Sequence, residues 1–152
     1  MQTDFFLGHN LCLKGISKDK ALNHIALFLS RELEADTECV YSSILQRENV
    51  SDTGLEKGIA LPHAVLPNES ISRAYVAIVT FSPPVSNWLC LDDTLVEKAI
   101  CLVVPENTDN TTQGIKELTL LFQSLADDDV VNSIKNARDS ETIITILKSC
   151  IK

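Results

Sequence analysis

The sequence predicts an α/β fold in one domain, residues 1–152. Residues 74–81 (AYVAIVTF) form a breaker-free apolar run rich in β-branched and aromatic residues and read as a strand covered on both faces, and residues 96–104 read as the next strong strand. Around them stand stretches whose apolar residues recur at helical spacing, and strands alternating with helices make a layered α/β domain. With 152 residues, 45% of them hydrophobic, the chain is long enough to bury a core and too apolar for disorder.

Each element has a local reason. Residues 1–16 read as an arm with a short strand around 11–13. Ser17 is a fitting N-cap for the helix that follows, with Asp19 in its first turn. Leu22, Ile25, Ala26, Leu29 and Leu33 give that helix one apolar face, and His24 beside it reads as a half-exposed structural histidine. Asp36 or Thr37 caps a second helix, with Val40, Tyr41, Ile44 and Leu45 facing inward and Arg47 near its end. Residues 49–57 are polar and turn-like, and lead into a short strand at 59–61. A loop at 67–70 precedes the first long strand, which Ser82, Pro83 and Pro84 stop. Residues 85–93 are irregular, with Trp88 expected in the core and Asp92 and Asp93 in a turn. After the second long strand and a loop at 105–112, a helix runs from about 113 to 126, with Ile115, Leu118, Phe122 and Leu125 on one face. Asp127 to Asp129 open a shorter helix carrying Val130, Val131 and Ile134. Ser140 caps a last helix with Ile143, Ile144, Leu147 and Ile151 on its apolar face.

Composition excludes several classes. The formal net charge of −8 argues against a nucleic-acid or anionic-membrane surface. No apolar run approaches the ~20 residues that span a bilayer, and MQTDFFLGHN lacks the basic and apolar regions of a secretory signal, so a cytoplasmic protein is expected. Cys12, Cys39, Cys90, Cys101 and Cys150 are odd in number and scattered, with no CxxC pair. They read as reduced thiols, most of them packed as small hydrophobes. His9 and Cys12 stand at ligand spacing, but no second pair follows and a closed zinc site needs four ligands. Neither metal nor cofactor is expected. No GxSxG, HExxH or GxxxxGK[ST] pattern is present, and nothing pairs Cys90 or Cys101 with His63 as a hydrolase would require.

The chemistry concentrates in residues 47–64, RENVSDTGLEKGIALPHA. A histidine of ordinary pKa is largely neutral near pH 7, so one ring nitrogen of His63 holds a lone pair able to attack phosphorus. Phosphoryl transfer is mostly positioning and electrostatic stabilisation. Arg47 offers a two-pronged cation, Gly54 and Gly58 allow close backbone approach to an anion, and Thr53 adds a hydroxyl. Pro62 restricts Leu61 to an extended conformation and sets the angle at which His63 leaves. Spacing alone leaves other readings open: a surface or capping histidine, a solvated helix-end arginine and turn glycines.

Arg47–Glu48, Thr53–Gly54 and the run GIALPHA from Gly58 to Ala64 resemble the phosphorylation-site signature of the fructose/mannitol-type IIA component of the bacterial phosphoenolpyruvate-dependent phosphotransferase system, nitrogen-regulatory IIA proteins included. The resemblance continues to the end of the chain. It implies a central mixed sheet with helices on both faces and a histidine near a strand end beside the arginine-bearing helix. It also implies that His63 takes phosphate from HPr or its nitrogen-branch equivalent, assisted by Arg47, and passes it to a cysteine of a IIB domain or acts through regulatory protein targets. A chain without an attached transporter or IIB region resembles the nitrogen-regulatory members more than the permease fusions. Two departures stand out. Ala64 replaces a common glycine, and Gly114 stands where the family usually has a second histidine, in a His-Leu-x-x-Leu pattern that here reads Gly114-Ile115-Lys116-Glu117-Leu118. The second departure implies slower transfer, substitution by Gln113 or Lys116, or a transfer-impaired regulatory module that works by binding alone.

Overall fold

In the computed structural model, which describes residues 5–107 and 115–151, five strands form one mixed sheet. β1 (Phe6–Leu11) lies parallel to β4 (Tyr75–Phe81), and β4 runs antiparallel to β5 (Lys98–Pro105). Both β2 (Ile59–Ala60) and β3 (His63–Leu66) pair in parallel with β5, one after the other along its length. They are two halves of one path broken at Leu61 and Pro62. Side chains alternate across a strand, so Ala77, Val79, Ala99, Cys101 and Val103 point to one face and Val76, Ile78, Ile100 and Leu102 to the other.

Helices cover both faces, as the resemblance implies. On the first lie α1 (Lys18–Leu33) and α2 (Thr37–Val50), with Leu22, Ile25, Leu29, Val40 and Ile44 at or near zero exposure. Burial of each such side chain contributes about 1.5–3 kcal/mol, an upper value given a partly collapsed unfolded chain. On the second face lie α3 (Ile115–Ser124), α4 (Asp128–Asn136) and α5 (Ser140–Cys150), through Leu118, Leu121, Ile134, Ile143 and Leu147. Ser17 caps α1 by accepting from Lys20 N, and Asp36 caps α2 by accepting from Cys39 N. Trp88 is in the core. Asp92 accepts from the Lys57 and Thr94 amides, which makes 92–94 the expected turn. Cys90 and Cys101 are buried, Cys39 and Cys150 half-buried and Cys12 exposed, all as free thiols. No helix among the described residues is long and apolar enough to cross a membrane.

Four elements differ from what the sequence predicts. The first strand is Phe6–Leu11, not 11–13, because the parallel register with β4 runs from Phe6↔Val76 to Leu11↔Phe81 and leaves Leu13 exposed. The expected strand at 59–61 ends at Ala60, and β3 begins beyond the proline. The cap of α5 is Asp139, whose carboxylate accepts from Thr142 N; Ser140 is the first helical residue. Phe122 is exposed, since α3 turns Leu118 and Leu121 to the sheet instead. Gln113 and Gly114 lie outside the described residues, while Lys116 is an exposed residue of α3.

Candidate functional site

Pro62 shapes the site. It has no amide hydrogen to give to a ladder, and between β2 and β3 the chain is held by the bond from Leu102 N to the Pro62 carbonyl, 2.9 Å, and by Leu61 N donating to the Thr53 carbonyl, 2.9 Å. The Leu61 carbonyl points instead at the next side chain: His63 Nδ1 lies 2.8 Å from it. A carbonyl only accepts, so Nδ1 carries the proton and Nε2 keeps its lone pair. His63 opens β3 opposite Leu102 of β5, on the sheet face that carries α3, α4 and α5. Its ring stacks near that of Phe122, centroids 6.3 Å apart.

Half-burial is the main influence on the ring and pushes the His63 pKa below its ordinary value. The bond to Leu61 works the other way, the Arg47 charge adds to the lowering, and the Glu48 charge opposes it. The net result favours the neutral imidazole, the form with a nucleophilic nitrogen.

Arg47 comes from the last turn of α2 and is half-buried. Its Nη1 donates to the Ser51 carbonyl at 2.9 Å, which holds the guanidinium over the end of its own helix and leaves Nε and Nη2 outside that bond. Beside it, Val40, Ile44 and Glu48 fall at successive intervals of four and form the buried stripe of α2. A carboxylate in that register needs partners. Glu48 accepts from the Thr53 hydroxyl, and Lys18 Nζ lies 2.9 Å from Glu48 Oε2 and 3.1 Å from Asp52 Oδ1. Burial alone would lower the Lys18 pKa, but its bonds to Glu48 and Asp52 outweigh that and raise it. This network fastens the loop 51–55 to α1 and α2. Sequence reasoning missed Lys18, Glu48 and Phe122; the interval of four from Val40 through Glu48 is the signal that was present for one of them.

The remaining expected residues frame the site. Thr53 is buried, with its hydroxyl committed to Glu48. Gly54 forms a bridge to Ala60, and a Cβ there would lie 2.5 Å from the Leu89 carbonyl oxygen. Gly58 has φ +77°, where glycine is favoured, and its N–H donates to Thr94 Oγ1 at 2.9 Å. In this state the Thr53 and Gly58 donors serve the loop rather than open space, and Gly54 permits close packing of residues 89–90. His63 and Arg47 are the pair that the fold leaves able to meet an anion.

The chain's family and fold are shared with known proteins. The family described as phosphoenolpyruvate-dependent sugar phosphotransferase system, EIIA 2, matches residues 10–150. The chain is 29% identical over 131 residues to a nitrogen regulatory protein of Klebsiella oxytoca, covering 86% of this chain and 78% of that relative. In structure it is similar to the nitrogen regulatory protein IIA-Ntr from Neisseria meningitidis, with a TM-score of 0.71, 25% identity, and 91% and 92% of the two chains covered. It shares a fold with the Escherichia coli complex of enzyme IIAMTL and phosphorylated enzyme IIBMTL, with a TM-score of 0.64, 18% identity, and 98% and 97% covered.

Proposed function

Because the chain belongs to the EIIA 2 family of the phosphoenolpyruvate-dependent sugar phosphotransferase system, we propose that it is a phosphohistidine carrier whose acceptor atom is Nε2 of His63. The observation that carries this reading is the 2.8 Å contact between His63 Nδ1 and the Leu61 carbonyl, which fixes the tautomer and frees Nε2. The Nε2 lone pair attacks the phosphorus of a phosphohistidine on an HPr-like donor. The new P–N bond forms as the old one breaks, and the donor ring leaves with its electron pair. The ring of His63 gains positive character in this step, and the Leu61 carbonyl accepts a stronger hydrogen bond from Nδ1–H. Arg47 turns the Nε–Nη2 edge of its guanidinium to the phosphoryl oxygens. Thr53, Gly54 and Gly58 hold the loop that frames them, and direct donation from Thr53 or Gly58 requires release from Glu48 or Thr94. In the return step a cysteine thiolate of a IIB partner attacks the same phosphorus and imidazole is the leaving group.

The likeness to nitrogen regulatory proteins supports the regulatory branch, in which phosphate on His63 changes a partner interface through its charge. Phe122, exposed beside His63, fits a partner contact at that spot. The test is phosphate transfer from phosphoenolpyruvate through the general phosphotransferase proteins, read by intact mass and acid lability. One acid-labile phosphate, absent in His63→Ala, is the expected result. No adduct with competent donors would leave the binding-only module as the reading.

A further inference from the structure

A second polar cleft, separate from the His63 site, lies on the same face of the sheet. His63 pairs with Leu102, and Lys98 is four residues back along β5 and points to the same side, roughly 13 Å away at ~3.3 Å per residue. There Thr80 of β4 with Ser82 just beyond it, Glu97 and Lys98 where β5 begins, Lys135 in the last turn of α4 and Arg138 in the link to α5 line an open cleft of about 390 Å³. That volume falls in the ~300–1,000 Å³ range of small-molecule pockets.

Lys98 is the unusual residue. Its side chain is only 6% exposed, and a buried ammonium ordinarily requires a full set of partners. Its Nζ donates to the Lys135 carbonyl at 2.6 Å, and the next acceptor, Glu97 Oε2, is 3.9 Å away on a half-exposed side chain. Among the described residues, one of its three donors is filled. Two further cations, Lys135 and Arg138, line the same cleft in a chain of net charge −8.

The geometry points to an oxyanion-binding subsite: a small ligand carrying a phosphate or carboxylate group whose oxygens fill the open donors of Lys98, with the Arg138 guanidinium and Lys135 at the mouth. Glu97 accepts a hydroxyl or ammonium from the rest of that ligand. Burial already pushes the Lys98 pKa down, the Glu97 charge opposing and Lys135 adding to it, so an incoming anion relieves the least favourable feature of the cleft. This subsite is independent of phosphate on His63 and stands whether or not that chemistry operates. Its occupant reports to α4, which Lys98 ties to the sheet.

The experiment is a titration of the isotope-labelled chain with inorganic phosphate and, separately, with succinate, against chloride at equal ionic strength. Backbone amide shifts of Ser82, Lys98 and Arg138 are followed by NMR. Saturable shifts at these amides, with affinity weakened at least about tenfold in Lys98→Gln and in Arg138→Ala, are expected. Response to phosphate alone assigns a phosphate-bearing ligand, response to succinate alone a carboxylate, and response to both any oxyanion. Shifts that match the chloride control, that appear only around His63, or that persist unchanged in Arg138→Ala would overturn the site. Arg138 is exposed, so that variant decides the matter even if Lys98→Gln does not fold.

Discussion

Replacing Glu48 with alanine tests how the site is held. Glu48 is buried, its Oε1 accepts from the Thr53 hydroxyl, and its Oε2 is 2.9 Å from Lys18 Nζ. Without it, Thr53 becomes a buried donor lacking an acceptor, a loss of about 1–3 kcal/mol. Lys18, 22% exposed, keeps Asp52, whose side chain is 72% exposed and therefore well screened, and the Trp88 ring face 5.7 Å away. Removing one partner of a fully buried pair costs about 3–5 kcal/mol. The partial exposure of Lys18 and the remaining Asp52 place Glu48→Ala at the low end, ~3 kcal/mol in all. For a domain of this size that is a fall in Tm of roughly 6–12 °C. Glu48→Gln keeps an acceptor for Thr53 and loses about half as much. Adding Thr53→Val to the pair Lys18→Met with Glu48→Leu recovers most of the loss, since apolar side chains then replace the ion pair and the Thr53 hydroxyl together and no buried donor is left without an acceptor. Urea unfolding at neutral pH measures all three, and NMR titration of the His63 ring adds a second readout. The Glu48 charge raises the His63 pKa, so Glu48→Ala moves it further down. A stability loss under ~0.5 kcal/mol, the behaviour of a surface pair, or a His63 pKa that rises, would refute this account of the network.

Three other perturbations separate packing from chemistry. In Gly54→Ala the new Cβ meets backbone at 2.5 Å (Leu89 O) and 2.9 Å (Cys90 Cα), so a loss of about 1–3 kcal/mol is expected; lost phosphate transfer with unchanged Tm would make Gly54 an anion donor instead. Arg47→Ala slows phosphate uptake by roughly 10²-fold or more and Arg47→Lys by less, because lysine keeps the charge without the fork; equal, near-normal single-turnover rates in both would remove Arg47 from the reaction. The His63 pKa is depressed on folding, so the unfolded chain takes up that proton first. The neutral ring therefore contributes stability above pH 6.5, the ordinary value, and that contribution is lost as pH falls through the window beneath it. His63→Ala should flatten this part of the pH–stability curve, and identical curves for variant and parent would mean the ring is not desolvated.

Much of this was readable before the fold was known, where one local cause dominates. The apolar face of α1 and the Ser17 cap follow from periodicity and capping, and the two long buried strands from their β-branched, apolar composition. His63 and Arg47 stood out through the signature around them. What escaped reading depends on tertiary partners. The register with β4, not the composition of the arm, places β1. Leu118 and Phe122 both fit a helical stripe, and only the docking of α3 decides that Leu118 is buried and Phe122 faces outward near His63. Glu48 and Lys98 are charged residues at apolar registers. Pattern reading assigns such residues to solvent, while the fold buries them and supplies Lys18 and Thr53 to one and the Lys135 carbonyl to the other.

The central claim, phosphate on Nε2 of a histidine whose Nδ1 is held by the Leu61 carbonyl, is tested most directly by NMR of the phosphorylated, ¹⁵N-histidine-labelled protein. The account predicts a ³¹P coupling to Nε2 of His63 and a proton that remains on Nδ1. A phosphoryl group on Nδ1, or on any residue other than His63, would contradict it.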